Sequence, residues 1–516
     1  MARAVARFVG ALLTGLCLAF SFVPVNAWYL APIAVALFIW IVRKQRWWQT
    51  LIWGFVTGVV YSVATLYWLS PVGVDTVGML GGLFGIWFAL LAIGIRFVWR
   101  LPFAPVWVAC WWVFIELGFS NVPLGGFGWL RLAFGQSDGV FLGFSRFIGV
   151  AGTCFFVVLL GALIVRIGER IAQRNGVDSR AWSLFWGLGS LVTAVVVVAI
   201  GGLLVVSVKL DMTYSSLTVA AVQGNVPGTG LNSLGEKTAV IRNHVTATKQ
   251  LAQDVANGKA TQPQLVVWPE NSTDIDPLTN LDVRAQIDAA ADAIKAPILV
   301  GAVRQNATNP PTLLNTGILW LPGTGAGEEY IKRHLVPFGE YMPMRGMVSR
   351  FTDRVRLVPN DFVSGSSPGV FTVDNVRVGD LICYEILSDS AVRSTVGEGV
   401  DMLVLQANNA TYTHSGPGGL TEANQLLNIA RVRAVESSRS IVVSTTNGVT
   451  ALVDSQGKVV DQIPPLESGA LVTEVPINTV EPLGIRVGQF VEYGLALLGL
   501  LAVVAGIVVF SRNKSE

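Results

Sequence analysis

The sequence predicts a membrane bundle of eight α-helices with a large α/β domain inserted between the seventh helix and the eighth. Three observations predict it. Of the 516 residues, 52% are hydrophobic and only 14% are charged, against about 25% charged in a soluble domain. Eight apolar runs approach or reach the roughly 20 residues that a bilayer-crossing helix needs. Between the last two runs, residues 210–487 have the composition of a soluble domain, and strand-like segments alternate there with helix-like ones.

The apolar runs lie at 7–25, 28–42, 50–69, 79–98, 103–119, 148–166, 181–208 and 488–510, the second being short. Arg3, Arg7 and "VNA" give the start the look of a signal peptide, but "WYLAPIAVALFIWIV" follows at once, so a retained first helix is expected. Basic residues mark every second connection: Arg3 and Arg7, then Arg43, Lys44 and Arg46, then Arg96 and Arg100, then Arg166, Arg170, Arg174 and Arg180, and finally Arg512 and Lys514. The opposite short connections hold only Arg131 and Arg146. Positive residues favour the cytoplasmic side, so both termini are expected there and the insert on the outer face. The expected division is seven helices in 1–209, an exported domain in 210–487, and an eighth helix with a short cytoplasmic tail in 488–516.

The insert is long enough for its own core. "SLTVAAVQGNVP" reads as a strand, and "EKTAVIRNHVTATKQLAQDVA" as a helix with apolar residues at helical spacing. Strand "QLVVWPE", helix "VRAQIDAAADAIKA", and strands "PILVGAV" and "TGILWL" follow. Then come "VRVGDLICYEI", "DMLVLQANN", helix "TEANQLLNIARVRAVESS", strand "SIVVSTTNG" and the hairpin "TALVDSQGKVVDQI". Such alternation implies a layered α/β sheet covered by helices.

A net charge of +2 gives no reason to expect nucleic-acid binding. His244, His334 and His414 are far apart, no Cys or His pair has ligand spacing, and no phosphate-binding glycine loop follows a strand. Neither a metal nor a cofactor is expected.

Three segments carry candidate chemistry. Glu270 ends the apolar strand of "LVVWPENS", at the carboxyl edge where ligands of α/β sheets gather. Lys332 lies in the strand-like start of "YIKRHLVPFGEY", ahead of a turn carrying Glu340, and Cys383 closes the strand of "LICYEI". Singly, each has an ordinary reading: a solvated loop carboxylate, a surface lysine, a core thiol. Cys17, Cys110 and Cys154 lie in the apolar runs, so Cys383 has no disulfide partner in its own domain. An exported thiol without a partner is a liability unless its reactivity is used. A nucleophilic thiol needs a base or nearby positive charge, which Glu270 and Lys332 can supply. His334 is the rival base, since two residues from Lys332 in a strand puts both side chains on one face. His414, in "THSGPGG", reads as a loop residue.

"VVWPE", "YIKRHLVPFGEY" and "LICYE", in that order, resemble the Glu, Lys and Cys motifs of the nitrilase (carbon–nitrogen hydrolase) superfamily. "K-x-x-L-V-P-F-G-E" on an insert between membrane helices resembles its membrane-embedded branch, the apolipoprotein N-acyltransferases. The resemblance implies an αββα sandwich for the insert, with Glu270 as general base, Lys332 as oxyanion stabiliser and Cys383 as nucleophile. It also implies supporting roles for Glu340, Tyr384 and Glu385. It further implies a two-step reaction in a bacterial plasma membrane. A phospholipid acylates Cys383, the oxyanion being held by Lys332 and the Tyr384 backbone N–H, and the α-amine of an apolipoprotein's diacylglyceryl-cysteine then takes the acyl group. A monomer is expected.

Two positions depart from the family pattern. "QGNVPGTGLNS" lacks the usual following Trp, and Asn409 in "QANNATY" replaces an acid, with Tyr412 nearby as an aromatic. Lipid substrates explain the helices, because exposing an acyl chain to water costs about 0.8 kcal/mol per CH₂. The thiol is therefore expected just above the outer bilayer surface, with segments 121–147 and 342–359 as interfacial contacts. Two other classes remain open: a membrane-anchored amidase using the same residues on soluble amides, and a transporter. A transporter predicts charges within the helices, and the first seven runs show almost none away from their ends.

Overall fold

The computed structural model describes residues 2–172, 180–207, 215–226, 237–350, 355–356, 358–416, 418–480 and 482–515. It divides into a helical unit, Met1–Leu210 with Pro482–Glu516, and an α/β unit, Asp211–Glu481.

The helical unit contains α1 (Ala2–Phe20), α2 (Leu30–Val42), α3 (Trp47–Leu66), α4 (Val74–Val98), α5 (Ala104–Asn121), α6 (Leu142–Ala172), α7 (Arg180–Ser207) and α13 (Leu483–Ser515). Each of the eight apolar runs forms a helix. Among the described residues five helices are long and apolar enough to cross a membrane; α1 and α2 are apolar but shorter. Gly54 and Gly58 on α3 let the backbone of α4 approach so closely that a Cβ at either would strike Phe88 or Phe84. Gly149, at φ 73°, breaks α6 into two helical pieces. The connections carrying Arg43, Arg96, Arg100 and Arg166 meet beside the end of α13. Arg43 and Arg166 pair with Glu169 at 2.9 and 3.2 Å, Arg96 donates to the Gln45 carbonyl, and Arg96 and Arg100 sit over the Phe510 ring.

The segment expected at the lipid interface behaves otherwise over 128–137, where every residue is buried. Arg131 is the reason. Its guanidinium reaches Glu492 of α13 at 2.9 Å and Glu116 of α5 at 3.6 Å, and Glu116 also accepts the Leu132 N–H. A guanidinium between two carboxylates holds this loop inside the bundle, while the tip at 121–125 and Asp138 stay exposed.

In the α/β unit β1 (Ser216–Gln223), α8 (Lys237–Ala256), β2 (Leu265–Val267), α9 (Leu281–Ile294), β3 (Ile298–Asn306), β4 (Thr312–Leu321) and β5 (Gly325–Ile331) come first. After the short α10 (Arg345–Val348) follow β6 (Gly369–Val373), β7 (Val376–Ile382), α11 (Asp389–Gly397), β8 (Met402–Ala407), α12 (Thr421–Ser437), β9 (Ile441–Thr445), β10 (Thr450–Val453), β11 (Val459–Ile463) and β12 (Gly469–Pro476). They form two six-stranded sheets, β12-β1-β2-β3-β4-β5 and β11-β10-β9-β8-β7-β6. Each has three adjacent parallel strands, β1-β2-β3 and β7-β8-β9, flanked by antiparallel ones.

Strand periodicity decides the layers. Leu217, Val219, Leu265 and Val267 meet Val378, Ile382, Met402 and Val404 between the sheets. The alternate residues Ala220, Val222, Val266 and Trp268 pack on Ile241, Val245 and Ile287 of α8 and α9. Such side chains contribute about 1.5–3 kcal/mol each when fully buried. With α11 and α12 against the second sheet, the result is the expected αββα sandwich.

Candidate active site

Three parallel strands supply the site from their carboxyl ends: β2 leads to Glu270 and β7 to Cys383, both expected, and β8 leads to Asn408, which was not. The β2 end fits against β3 because residue 301 is glycine, where a Cβ would strike the Pro269 carbonyl and Glu270 Cα. Ser272 Oγ donates to the Gly301 carbonyl at 2.8 Å and pins the following turn.

Glu270, Lys332 and Glu340 form one buried cluster. Lys332 Nζ donates to Glu270 Oε1 at 2.9 Å and to Glu340 Oε1 at 3.0 Å. Asn315 Nδ2 bridges the same two oxygens at 2.8 and 2.7 Å, and Asn408 N–H donates to Glu270 Oε2 at 3.0 Å. Glu340 Oε2 accepts the Val336 N–H at 2.7 Å, closing the "VPFGE" turn on itself. Burial alone would lower the Lys332 ammonium, but Glu270 and Glu340 outweigh it and raise it well above its usual range, so it stays charged. Asn315 had a signal in the sequence, a lone amide inside the apolar strand "TLLNTGILW"; Asn408 acts through its backbone and had none.

Cys383 opens a tight turn, half-buried, with φ 53°. A left-handed backbone costs roughly 1–2 kcal/mol at a non-glycine residue. Glu385 holds the turn. Its buried carboxylate accepts from Ile382 N–H at 2.9 Å, Tyr330 Oη at 2.8 Å, Arg333 N–H at 2.9 Å and His334 N–H at 3.1 Å. Burial pushes the Glu385 carboxyl up, but bonds from His334, Ile382 and Tyr330 prevail and set it below its ordinary value. Glu385 thereby ties the Lys332 segment to the Cys383 turn. Arg433 of α12, fully buried, clasps the far side of the turn through the Ile386 and Leu387 carbonyls and Asp389. Tyr384, beside the thiol, is half-buried.

The expectation that Lys332 lies in a strand does not hold. β5 ends at Ile331, and the chain bends through Lys332–His334. The bend turns His334 from the Lys332 cluster: its Nε2 lies 3.1 Å from Ser390 Oγ and its Nδ1 3.7 Å from Glu385. His414 closes its own loop, with Nδ1 accepting from Gly416 N–H at 3.0 Å. His244 is buried under Trp268, and burial lowers its pKa to about 4. The region expected to carry a Trp lies, from residue 227 to 236, outside the described residues.

The Cys383 thiol is raised well above its usual value, first by burial and then by Glu270, with Lys332 opposing and Glu422 and Glu340 adding. The resting sulfur is therefore protonated, and an adjacent carboxylate can take that proton as the sulfur attacks. Two carboxyls missed in the sequence lie close by. Asp380 of β7 is buried between the sheets, and Glu422 of α12 is bonded to Asn409 Nδ2. A Cβ at Gly317 would collide with Asp380 Oδ2 and come within 3.1 Å of Gln406 Oε1. Gln406 Nε2 in turn donates to the Trp268 carbonyl, linking β8, the strand that leads to Asn408, to the Glu270 strand. Among the described residues, no group of three or more His, Cys, Asp and Glu forms a metal site. A cavity of about 780 Å³ beside α8, lined by Asn243, Gln250 and Ser468, contains none of the expected residues.

Residues 14–163 match the Apolipoprotein N-acyltransferase N-terminal domain, and residues 218–484 match the Carbon-nitrogen hydrolase domain. The chain is 34% identical to "Apolipoprotein N-acyltransferase" of Mycolicibacterium smegmatis, over 96% of its own length and 84% of that protein. It is 24% identical to the Haemophilus influenzae protein of the same name, over 98% and 95%. Among solved structures, it is similar to an amidase from Nesterenkonia sp., with 17% identity, a TM-score of 0.36, and coverage of 52% of this chain and 93% of that one. The near-full-length relatives and the two domain matches, one on each structural unit, carry the conclusion that the chain belongs to the apolipoprotein N-acyltransferase family.

Proposed function

We propose that the protein moves an acyl chain from a membrane phospholipid to the α-amine of the diacylglyceryl-cysteine of an apolipoprotein, holding it in between as a thioester on Cys383. The observation that carries this reading is the buried Glu270–Lys332–Glu340 cluster acting on the Cys383 thiol, in a chain whose relatives over nearly its whole length are apolipoprotein N-acyltransferases.

Glu270 takes the thiol proton as sulfur attacks the ester carbonyl. Lys332 and the Tyr384 backbone N–H hold the oxyanion, and the proton passes to the departing lysophospholipid oxygen. Glu340 and Asn315 keep Glu270 and Lys332 in register, and Glu385 keeps the Cys383 turn in its left-handed conformation. In the second step the amine attacks the thioester, and the sulfur leaves with a proton relayed by Glu270. Thioester storage lets two bulky lipids use one site in turn.

The helical unit supplies eight spans of a bacterial plasma membrane, with both termini cytoplasmic and the domain at 210–487 on the outer face, in a monomeric enzyme. The connections carrying Arg43, Arg96, Arg100 and Arg166, gathered beside the end of α13, support that orientation. Met344, just before α10, and Met347 on it are exposed beside a small cluster of Met342, Val348, Val355 and Val358 and are the proposed lipid contacts of the 342–359 arm; residues 351–354 and 357 of this arm lie outside the described residues.

Intact-protein mass after incubation with phospholipid vesicles tests the reading. Wild type gains one acyl mass on Cys383 and loses it on adding a diacylglyceryl-cysteine peptide. Cys383→Ala gains none, and Cys383→Ser next to none, because a hydroxyl ionises far less readily. Replacing Cys17, Cys110 and Cys154 together leaves the gain unchanged. Full turnover in Cys383→Ala removes the covalent route, and turnover on soluble amides with no lipid donor makes the protein an amidase.

A further inference from the structure

The second half-reaction has two protons to place. An α-amine has a pKa of about 7.7–8.0, so at neutral pH it arrives mostly as an ammonium. Amide formation strips that nitrogen twice: once to free the lone pair that attacks, and once as the C–N bond forms. The C–S bond breaks with its electron pair on sulfur, so Cys383 takes back one proton through Glu270. The other proton needs a second acceptor. The first half-reaction has no such surplus, since the thiol proton leaves on the lysophospholipid oxygen.

The carboxylates around Cys383 are not equivalent as acceptors. Lys332 is already fully protonated. Glu340 is bound by Lys332, Asn315 and the Val336 N–H, and Glu385 by three backbone N–H groups and Tyr330. Asp380 faces the inter-sheet core with Val378 and Ile382. Glu422 differs from all of these. It is buried in the first turn of α12, its Oε2 accepts a side-chain bond from Asn409 Nδ2, and its charge acts on both the Cys383 thiol and the Tyr412 phenol. The backbone of the neighbouring Asn408 is bonded to Glu270, so one loop after β8 spans the two carboxylates.

We propose that Glu422 is a second catalytic base, which takes the first proton from the incoming ammonium while Glu270 relays the second to the Cys383 sulfur. This rests on the two-step acyl transfer proposed above. The groups facing Glu422 are Asn409 and Tyr412 from the loop after β8, Glu270 from the end of β2 and Cys383 from the end of β7. Burial raises its carboxyl to about 7, with the Asn409 bond opposing and the Glu270 charge adding. An acid in that range exchanges protons readily with an amine near neutrality. Once the amide has left, Glu422 returns its proton to solvent and the cycle closes.

Glu422→Gln keeps an oxygen for Asn409 Nδ2 but cannot accept a proton. The full-length enzyme is incubated with vesicles of phosphatidylethanolamine and phosphatidylglycerol, and acylation of Cys383 is followed by intact mass. The isolated acyl-enzyme then receives a synthetic diacylglyceryl-cysteine peptide, and single-turnover transfer is timed from pH 6 to 9. Glu422→Gln is expected to acylate within about twofold of wild type and to transfer about 10²-fold more slowly at pH 7, at the low end for loss of a general base. The deficit shrinks towards pH 9, where the amine arrives neutral. Asn409→Asp combined with Glu422→Gln swaps the bonded pair, leaves a carboxyl in the same place, and restores at least a tenfold part of the loss. Wild-type transfer in Glu422→Gln, or a deficit equal at pH 7 and pH 9 and not rescued by Asn409→Asp, overturns the proposal while leaving the two-step reading intact. Absence of any acyl mass on wild-type Cys383 removes that reading, and this inference with it.

Discussion

At the residue scale the two candidate bases, Glu270 and His334, are told apart by where the chain bends. Had β5 continued through Lys332, His334 would share its face. Because β5 stops at Ile331, His334 turns to Glu385 and Ser390, and Lys332 turns to Glu270. Glu270→Gln should therefore slow acyl-enzyme formation by about 10²–10⁴-fold, and Lys332→Met by about 10²–10³-fold or more, while His334→Ala stays near wild type. Acyl mass on Cys383 against time is the measurement, and a block in His334→Ala with normal Glu270→Gln would assign a Cys–His enzyme instead. Asp380 makes a second case. Burial, with the charges of Glu385 and Glu270, raises its carboxyl well above the ordinary value. Neither of its oxygens, nor Gln406 Oε1, meets a donor among the described residues. With that carboxyl raised, the folded chain keeps a proton that the unfolded chain loses above about pH 4, so wild-type stability falls as pH rises through that range. Asp380→Asn donates without titrating. Its melting midpoint in detergent should exceed that of wild type at pH 8 and converge with it towards pH 4; a lower midpoint at pH 8 means an ionised Asp380.

At the scale of elements, the site is built from strand ends and turns, and each turn is held by a buried polar residue. Glu385 and Arg433 clamp the Cys383 turn, Glu340 closes its own turn, and Ser272 pins the one after Glu270. The helical unit uses the same device on a larger loop through Arg131, Glu116 and Glu492, whose side chains are at most 3% exposed. Removing one partner of a buried ion pair typically costs about 3–5 kcal/mol, because the other charge is left buried alone. Arg131→Ala is expected to lower the melting midpoint in detergent sharply and to expose 128–137 to proteolysis. Adding Glu116→Gln and Glu492→Gln to it recovers part of the loss. An unchanged midpoint in Arg131→Ala would mean that helix packing alone holds the loop. The aromatic and arginine content of this segment suggested an interface; two buried carboxylates, Glu116 on the preceding helix and Glu492 far along the chain, drew it inside.

For the molecule as a whole, the proposed orientation follows from an alternation that the bundle makes geometric, since Arg43, Arg96, Arg100 and Arg166 converge around Glu169 and Phe510. Reporters fused near residues 45 and 175 should read as cytoplasmic and one near residue 300 as exported. A cytoplasmic signal at 300 would reverse the orientation and remove the proposed substrates. The two units also separate what each contributes: a lipid-compatible surface, with Leu191, Val195, Leu497 and Leu501 outward-facing on α7 and α13, and a sandwich whose parallel strands bring Glu270 and Cys383 together.

Apolar length, strand alternation and charge asymmetry are local properties, and so the helices, the layered insert and the three motif residues were legible in the sequence by itself. Each of these needs only neighbours along the chain: about 20 apolar residues, a period of two, a motif of five to twelve letters. Tertiary structure alone decided which polar groups complete the cluster. Asn315, Asp380, Glu422 and Arg433 owe their importance to partners on other strands and helices, and a single buried polar residue has no period to betray it. It also decided where His334 turns, since the bend after β5 depends on contacts with Glu385 and Ser390, and the fate of the 128–137 loop, because burying the Arg131 charge depends on finding partners, which Glu116 and Glu492 supply from two different helices.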